Sequence, residues 1–175
     1  LDVAKQLVEA AAHAGADAVK FQAFTADNLV SKQAPKAEYQ TQATAKDGSQ
    51  YAMLKRLELD LEAHKELMRL CEEKGIEFLS TPFDRHSIEM LDALGLETFK
   101  VGSGELTNLP YLRKIGALNK QIILSTGMAD LGEVEDALEV LTQAGTALEN
   151  ITVLHCNTEY PTPMQDVNLR AMQTM

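Results

Sequence analysis

Five times in succession the sequence runs an amphipathic helical stretch into a short apolar one. LDVAKQLVEAAAHAG puts Val3, Leu7, Val8, Ala11 and Ala14 on one helical face, stops at Gly15 and leads into ADAVKFQ. LEAHKELMRLCEEKG repeats the plan with Leu61, His64, Leu67, Met68 and Cys71, stops at Gly75 and leads into IEFLSTPF. SIEMLDALG precedes LETFKVGSGE, LPYLRKIGAL precedes QIILSTG, and LGEVEDALEVLTQAG precedes ITVLHCN. Parallel neighbours in a sheet need a crossover, and a helix is the usual one, so five such units predict a parallel α/β fold.

Composition narrows what such a fold serves. The 175 residues are 45% hydrophobic and 24% charged, enough for one sizeable core. No apolar run approaches the ~18 residues a membrane span needs, and nothing at the start reads as a signal peptide. Sixteen basic against 26 acidic residues leave a net charge of −10, which argues against a general nucleic-acid surface. Any anion site must be built locally. Cys71 and Cys156 form no metal or redox spacing; reduced, partly buried thiols fit a cytoplasmic protein.

A doubly wound sheet and a (β/α)8 barrel both accommodate the repeating unit. No G-x-G-x-x-G links a strand to a helix, so the dinucleotide fingerprint is missing. Instead every strand carries polar residues at its C-terminal end: Lys20 and Gln22, Ser80 and Thr81, Lys100 and Ser103, Ser125 and Thr126, His155 and Asn157. In a barrel those ends converge on one mouth, and this distribution favours the barrel. Alternation along a strand puts Lys20 with Gln22, opposite Phe21, and Lys100 opposite Phe99 and Val101. If Phe99 and Val101 pack against helices, Lys100 points to the interior and needs an anion or carboxylate. Gly102 and Gly104 would free the backbone for tight turns and close approach, and Ser103 could donate to phosphate oxygens. The expectation is an anion cage of two strand-borne lysines with Ser and Thr hydroxyls.

Other residues have plainer readings. A serine or threonine after a strand often caps the next helix, as STPFD could. His64 and His86 fall on helical segments and read as structural or solvated, and His13 ends the first helix, where a cation suits the dipole. His155 ends a strand at the expected mouth, where a functional role is as plausible as a structural one. Met53, Met68 and Met90 read as core filler. The stretch from Phe24 to Asp60, with Lys36 and Tyr39, is too long for a plain connection; it reads as a lid or substrate wall, or else a surface excursion. Ser49 is placed to cap a helix begun by SQYAMLKRL.

AVKFQ, FLSTPFD, FKVGSGE, IILSTGM and LHCNTEYPTP, in this order and spacing, resemble the sialic acid synthase family across nearly the whole chain. APKAEYQ and SQYAMLKRLEL further resemble its bacterial branch that includes legionaminic acid synthases. The resemblance implies a TIM-barrel enzyme that joins phosphoenolpyruvate to N-acetylmannosamine or 2,4-diacetamido-2,4,6-trideoxymannose, releasing phosphate and a nine-carbon ulosonic acid. It implies a divalent metal, Mn2+ or Mg2+, whose ligands are expected outside this chain. Position by position it assigns Lys20, Thr81, Lys100, Ser103 and Ser125 to the carboxylate and phosphate of phosphoenolpyruvate. It assigns Glu105 to the reacting centre and Tyr160 to the sugar. A family asparagine matches either Asn157 or Thr158, because HCNT here replaces the His-Cys-Thr-Asn order of relatives. Residues 1–175 would then be the central part of the barrel, strands two to six of eight, without the first strand, the last strands or the small antifreeze-like domain. A domain-swapped homodimer is implied for the full-length protein. Two other readings stay open: a Schiff-base aldolase using Lys20 or Lys100, and a non-catalytic phosphosugar-binding module.

Overall fold

Each expected helix–strand unit forms. The computed structural model describes residues 1–35 and 49–175; the expectations for Lys36 and Tyr39 lie outside the described residues. Helix α1 (Asp2–His13) precedes strand β1 (Ala18–Ala23), followed by the short helices α2 (Ala26–Leu29) and α3 (Gln50–Lys55). Then come α4 (Leu61–Lys74) and β2 (Glu77–Pro82), α5 (Arg85–Ala93) and β3 (Thr98–Val101), α6 (Leu109–Gly116) and β4 (Gln121–Ser125), α7 (Leu131–Ala144) and β5 (Ile151–Leu154). The strands are ordered β1-β2-β3-β4-β5, and β2–β3, β3–β4 and β4–β5 pair in parallel. Spatial order follows chain order without reversal, so these strands contain no switch point of the doubly wound kind.

Residues Leu1–Phe78 and Leu79–Met175 form two compact units. In the first, Phe21 of β1 stacks on Phe78 at a centroid distance of 5.7 Å, and His64 of α4 meets the Phe78 edge at 6.0 Å. Val8, Leu67 and Cys71 are buried there, but Val3 and Leu7 of α1 are 69% and 53% exposed. That corrects the expected α1 face. Lys5 and Glu9, four residues apart and so on one stripe, reach Glu66 at 2.5 Å and Lys74 at 3.7 Å on α4. The inward stripe runs through Ala4, Val8, Ala11 and Ala12, and Val3 and Leu7 lie off it. Leu61 is likewise exposed, while Met53, Met68 and Met90 are half-buried.

His64 is fully buried rather than solvated, with Nδ1 2.9 Å from the Asp60 carbonyl and Nε2 without a partner. Burial therefore pushes its pKa down, against the raising influence of Asp60 and Leu59. His86 is exposed. The ends flanking the long segment are tied together: Glu58 accepts the Ala26 amide at 2.5 Å, and Tyr51 donates to Asp27 at 2.9 Å. Ser49 caps α3 as expected, accepting from the Ala52 amide at 3.2 Å.

In the second unit, Phe99, Val101, Ile122 and Leu124 face the helix layer and are fully or almost fully buried. Each such side chain contributes roughly 1.5–3 kcal/mol of burial. Helix α7 opens with a capping box, Asp130 accepting from the Glu133 amide at 2.9 Å and Glu133 from the Asp130 amide at 3.0 Å. Asp84 caps α5, accepting from Ser87 at 2.7 Å, which corrects the STPFD reading: Ser80 and Thr81 lie inside β2 and cap nothing. Ser80 also belongs to the core side, because it pairs with Phe99 and is fully buried.

Candidate functional site

Register decides which polar residues share a face. Lys100 lies opposite Ile123, and Ser125 stands two residues further along β4, so both project from the side opposite Phe99 and Val101. Because Ser80 pairs with Phe99, the next residue, buried Thr81, takes the Lys100 side. Phe99 and Val101 are buried and Lys100 only half-buried, as alternation predicted. The Lys100 ammonium donates to the Val101 carbonyl at 2.7 Å and to the Ser125 hydroxyl. Lysine and serine from neighbouring strands are thus already joined. Threonine, lysine and serine meet at one end of β2, β3 and β4.

The loops beyond the strands add to this end. Ser103 begins a 3-10 turn, Ser103–Glu105, directly after β3. Neither Gly102 nor Gly104 takes a left-handed conformation there, so the tight-turn role expected of them is not used. The glycine that matters is Gly127, after β4, with φ +54°. A Cβ at Gly127 would lie 2.5 Å from Ser103 Cβ and Oγ and 3.0 Å from Thr158 Cγ2. Only a residue without a side chain lets Ser103 and Thr158 close over this loop. Asn157 turns away, its amide donating to the Asp166 carbonyl at 3.3 Å. A cleft of ≈ 320 Å³ opens beside this junction, lined by Ser103, Thr107, Met128, Glu133 and Thr158 among others.

Cys156 enters the same cluster, which the sequence reading did not foresee. Its thiol donates toward the Leu154 carbonyl at 3.6 Å and lies beside Ser125, the Gly127 and Thr126 amides and Lys100. Burial alone would raise its pKa; the Ser125 hydroxyl, those amides and the Lys100 charge outweigh it and lower it. Cys71, buried with no such neighbours, is pushed up. The signal was present as a cysteine one residue beyond His155. Spacing between cysteines does not register it, because the partners of this thiol are a hydroxyl, two amides and an ammonium.

Glu105 is half-buried, and its Oε2 accepts from Asn108 Nδ2 at 2.6 Å. Asn108 also caps α6, its Oδ1 accepting from the Tyr111 amide at 3.4 Å. Tyr111 is buried and donates to the Pro82 carbonyl at 2.8 Å. Burial first, then the charges of Glu105 and Asp84, push its phenol far above the usual range. His155 is half-buried and lines a second cavity of ≈ 630 Å³ with Thr126, Asn168 and Arg170. Tyr160 is 73% exposed and not drawn into the cluster. Lys20 belongs to the first unit, where it and Gln22 share the exposed face of β1. Among the described residues no group of three or more His, Cys, Asp or Glu side chains could hold a metal ion. The divalent ion implied by the resemblance therefore has no ligand set among them.

Residues 7–175 match the NeuB family. The chain belongs to it. Over its whole length this NeuB-family chain is 58% identical to the N,N'-diacetyllegionaminic acid synthase of Campylobacter jejuni, covering 52% of that protein. It is 49% identical over 177 residues to the Legionella pneumophila protein of the same name, covering 50% of it. Among solved structures, N-acetylneuraminic acid synthetase from Leptospira borgpetersenii, in complex with citrate, superposes with a TM-score of 0.83 at 27% identity. That match covers 99% of this chain and 55% of the other. The chain thus spans about half the length of the curated relatives it matches. Among the described residues, no helix is long and apolar enough to cross a membrane.

Proposed function

We propose that this chain supplies the phosphoenolpyruvate-binding part of a synthase that condenses phosphoenolpyruvate with an N-acetylmannosamine-type sugar and water, giving a nine-carbon ulosonic acid and phosphate. The observation that carries the reading is the Lys100–Ser125 pair, set among polar strand ends with Ser103 and Thr158 beside it. Phosphoenolpyruvate brings a carboxylate and a phosphate of about −2 charge. A net-negative protein can hold it only where a cation and hydroxyl or amide donors are gathered. In the proposal Lys100, Ser103, Ser125, Thr81 and Thr158 bind this anion. Thr158 is preferred to Asn157, whose amide is already engaged. Lys20 joins on the resemblance of AVKFQ alone, and Tyr160 contacts the sugar on the same ground.

The chemistry needs little more from these side chains than charge and position. The enol C3 bonds to the sugar aldehyde carbon, water adds at C2, and phosphate leaves from the resulting tetrahedral carbon. Glu105 stands at the reacting centre, where a carboxylate can position the water or carry its proton. A divalent ion, Mn2+ or Mg2+, would polarise the aldehyde when bound. The strands are proposed to belong to a (β/α)8 barrel, since five parallel strands in chain order with polar C-terminal ends match that architecture. The homodimer and the cytoplasmic location rest on the family resemblance.

Phosphate release by the full-length protein tests the reading, with phosphoenolpyruvate, Mn2+ and each sugar in turn. The names of the two bacterial relatives make 2,4-diacetamido-2,4,6-trideoxymannose the first acceptor to try and N-acetylmannosamine the second. Turnover with one of them is expected. Turnover with neither rejects the synthase. Borohydride trapping with pyruvate is expected to leave no covalent adduct on Lys20 or Lys100; an adduct would instead establish the aldolase.

A further inference from the structure

We infer that Asn108 is a positioning residue for Glu105, coupling the carboxylate to the first turn of helix α6. The inference rests on the proposed role of Glu105 at the reacting centre. The two ends of the Asn108 amide are distinguishable by their partners. The helix start offers an N–H, the Tyr111 amide at 3.4 Å, which only the carboxamide oxygen can accept. The nitrogen must then face the other way, where Glu105 Oε2 lies 2.6 Å off, and a carboxylate can only accept. One side chain thus serves the cap and the carboxylate together, and neither bond forms in the flipped orientation.

Rigidity is what this adds. Glu105 ends a three-residue 3-10 turn whose backbone is held by bonds from Glu105, Leu106 and Asn108 to the carbonyls of Gly102, Ser103 and Glu105, so only its side chain is left to be directed. Helix α6 is anchored firmly by contrast, with Tyr111, Leu112 and Ile115 buried beneath it. The side-chain hydrogen bond fixes the direction of the Glu105 carboxylate against that helix. Asp84 and the Tyr111 hydroxyl are the other groups whose electrostatics involve this corner, and Tyr111 is committed to the Pro82 carbonyl. Asn108 is therefore the donor with a capping contact on one side and Glu105 on the other.

The test separates cap from positioning, using full-length enzyme. Asn108→Ser and Asn108→Thr both retain caps, but neither hydroxyl is long enough to reach Glu105. Both are expected to keep the wild-type melting temperature and the KM for phosphoenolpyruvate. Both should lower kcat about tenfold. The double variant Glu105→Gln with Asn108→Ser should be no slower than Glu105→Gln alone. Wild-type kcat in both cap-retaining variants, while Glu105→Gln is impaired, overturns the inference and leaves the functional reading intact. A kcat loss that appears only with a lowered melting temperature overturns it too. Full activity in Glu105→Gln removes Glu105 from the reacting centre, and the inference falls with it.

Discussion

Two lysines stand in short strands of the two compact units, and their surroundings differ. Lys20 projects from the exposed face of β1, beside Gln22. Lys100 is half-buried on β3 and donates to both a carbonyl and the hydroxyl of Ser125 on the next strand. The residue type is the same and the alternation rule places each correctly. What differs is that Lys100 has two acceptors, one of them on the next strand. An exposed ammonium contributes charge. One gripped by a carbonyl and a hydroxyl also has a direction.

The sharpest way to break this contrast is to remove each charge in turn. Lys100→Ala is expected to weaken phosphoenolpyruvate binding about 100-fold, as loss of a charged hydrogen-bonding group of roughly 1.5–3 kcal/mol predicts. Lys20→Ala should cost only about two- to fivefold, as a less directed, exposed interaction would. Calorimetric titration of both variants decides; equal losses would erase the distinction drawn between the two lysines.

Gly127 tests how far the second unit's pre-built character depends on close approach. Gly127→Ala forces a Cβ into Ser103 at 2.5 Å and onto a positive φ, a cost of about 2–3 kcal/mol. Urea denaturation should show it, with a further loss of ligand affinity as Ser103 and Thr158 separate. A stability within about 0.5 kcal/mol of wild type would mean the loop gives way without cost.

In the first unit the burial of one histidine replaces a built ligand site. The folded pKa of His64 lies below the ordinary value near 6.5, so the unfolded chain takes up a proton before the folded one does. Its stabilising contribution is whole above about pH 6.5 and declines as the pH falls through that value toward the depressed one. Denaturation at pH 7.5 and 5.5 should show less of that decline in His64→Leu; an unchanged slope would assign the pH dependence to other groups.

The two cysteines give the smallest effect and repeat the contrast between the units. Iodoacetamide at neutral pH should alkylate Cys156 several-fold faster than Cys71, with inorganic phosphate slowing only the former. Mass mapping of the labelled peptides reads both rates. Faster labelling of Cys71 would place the activated thiol in the wrong unit.

Much of this was legible before any coordinates. The five helix–strand units, the Gly15 and Gly75 stops, the Ser49 cap and the opposite facing of Lys100 and Phe99 follow from local periodicity. The α1 face does not follow from it, because Val3 and Leu7 outweigh alanines in hydrophobic spacing, yet Ala4, Ala11 and Ala12 are the residues that flank buried Val8. Glycines in GSGE drew attention, while the one in STG carried the constraint. Left-handed geometry and a contact with Thr158, 31 residues on, cannot be read from neighbours in sequence.

By itself the sequence determined the period of each element, which residues of a strand share a side, and the motifs that place the chain in its family. Those are properties of short stretches, set by backbone geometry over two to four residues. Tertiary structure alone decided that Ser125 lies within reach of Lys100, that Cys156 joins them, and that Asn108 grips Glu105 while capping a helix. Such contacts depend on strand register and loop closure, which the packing of the whole unit settles.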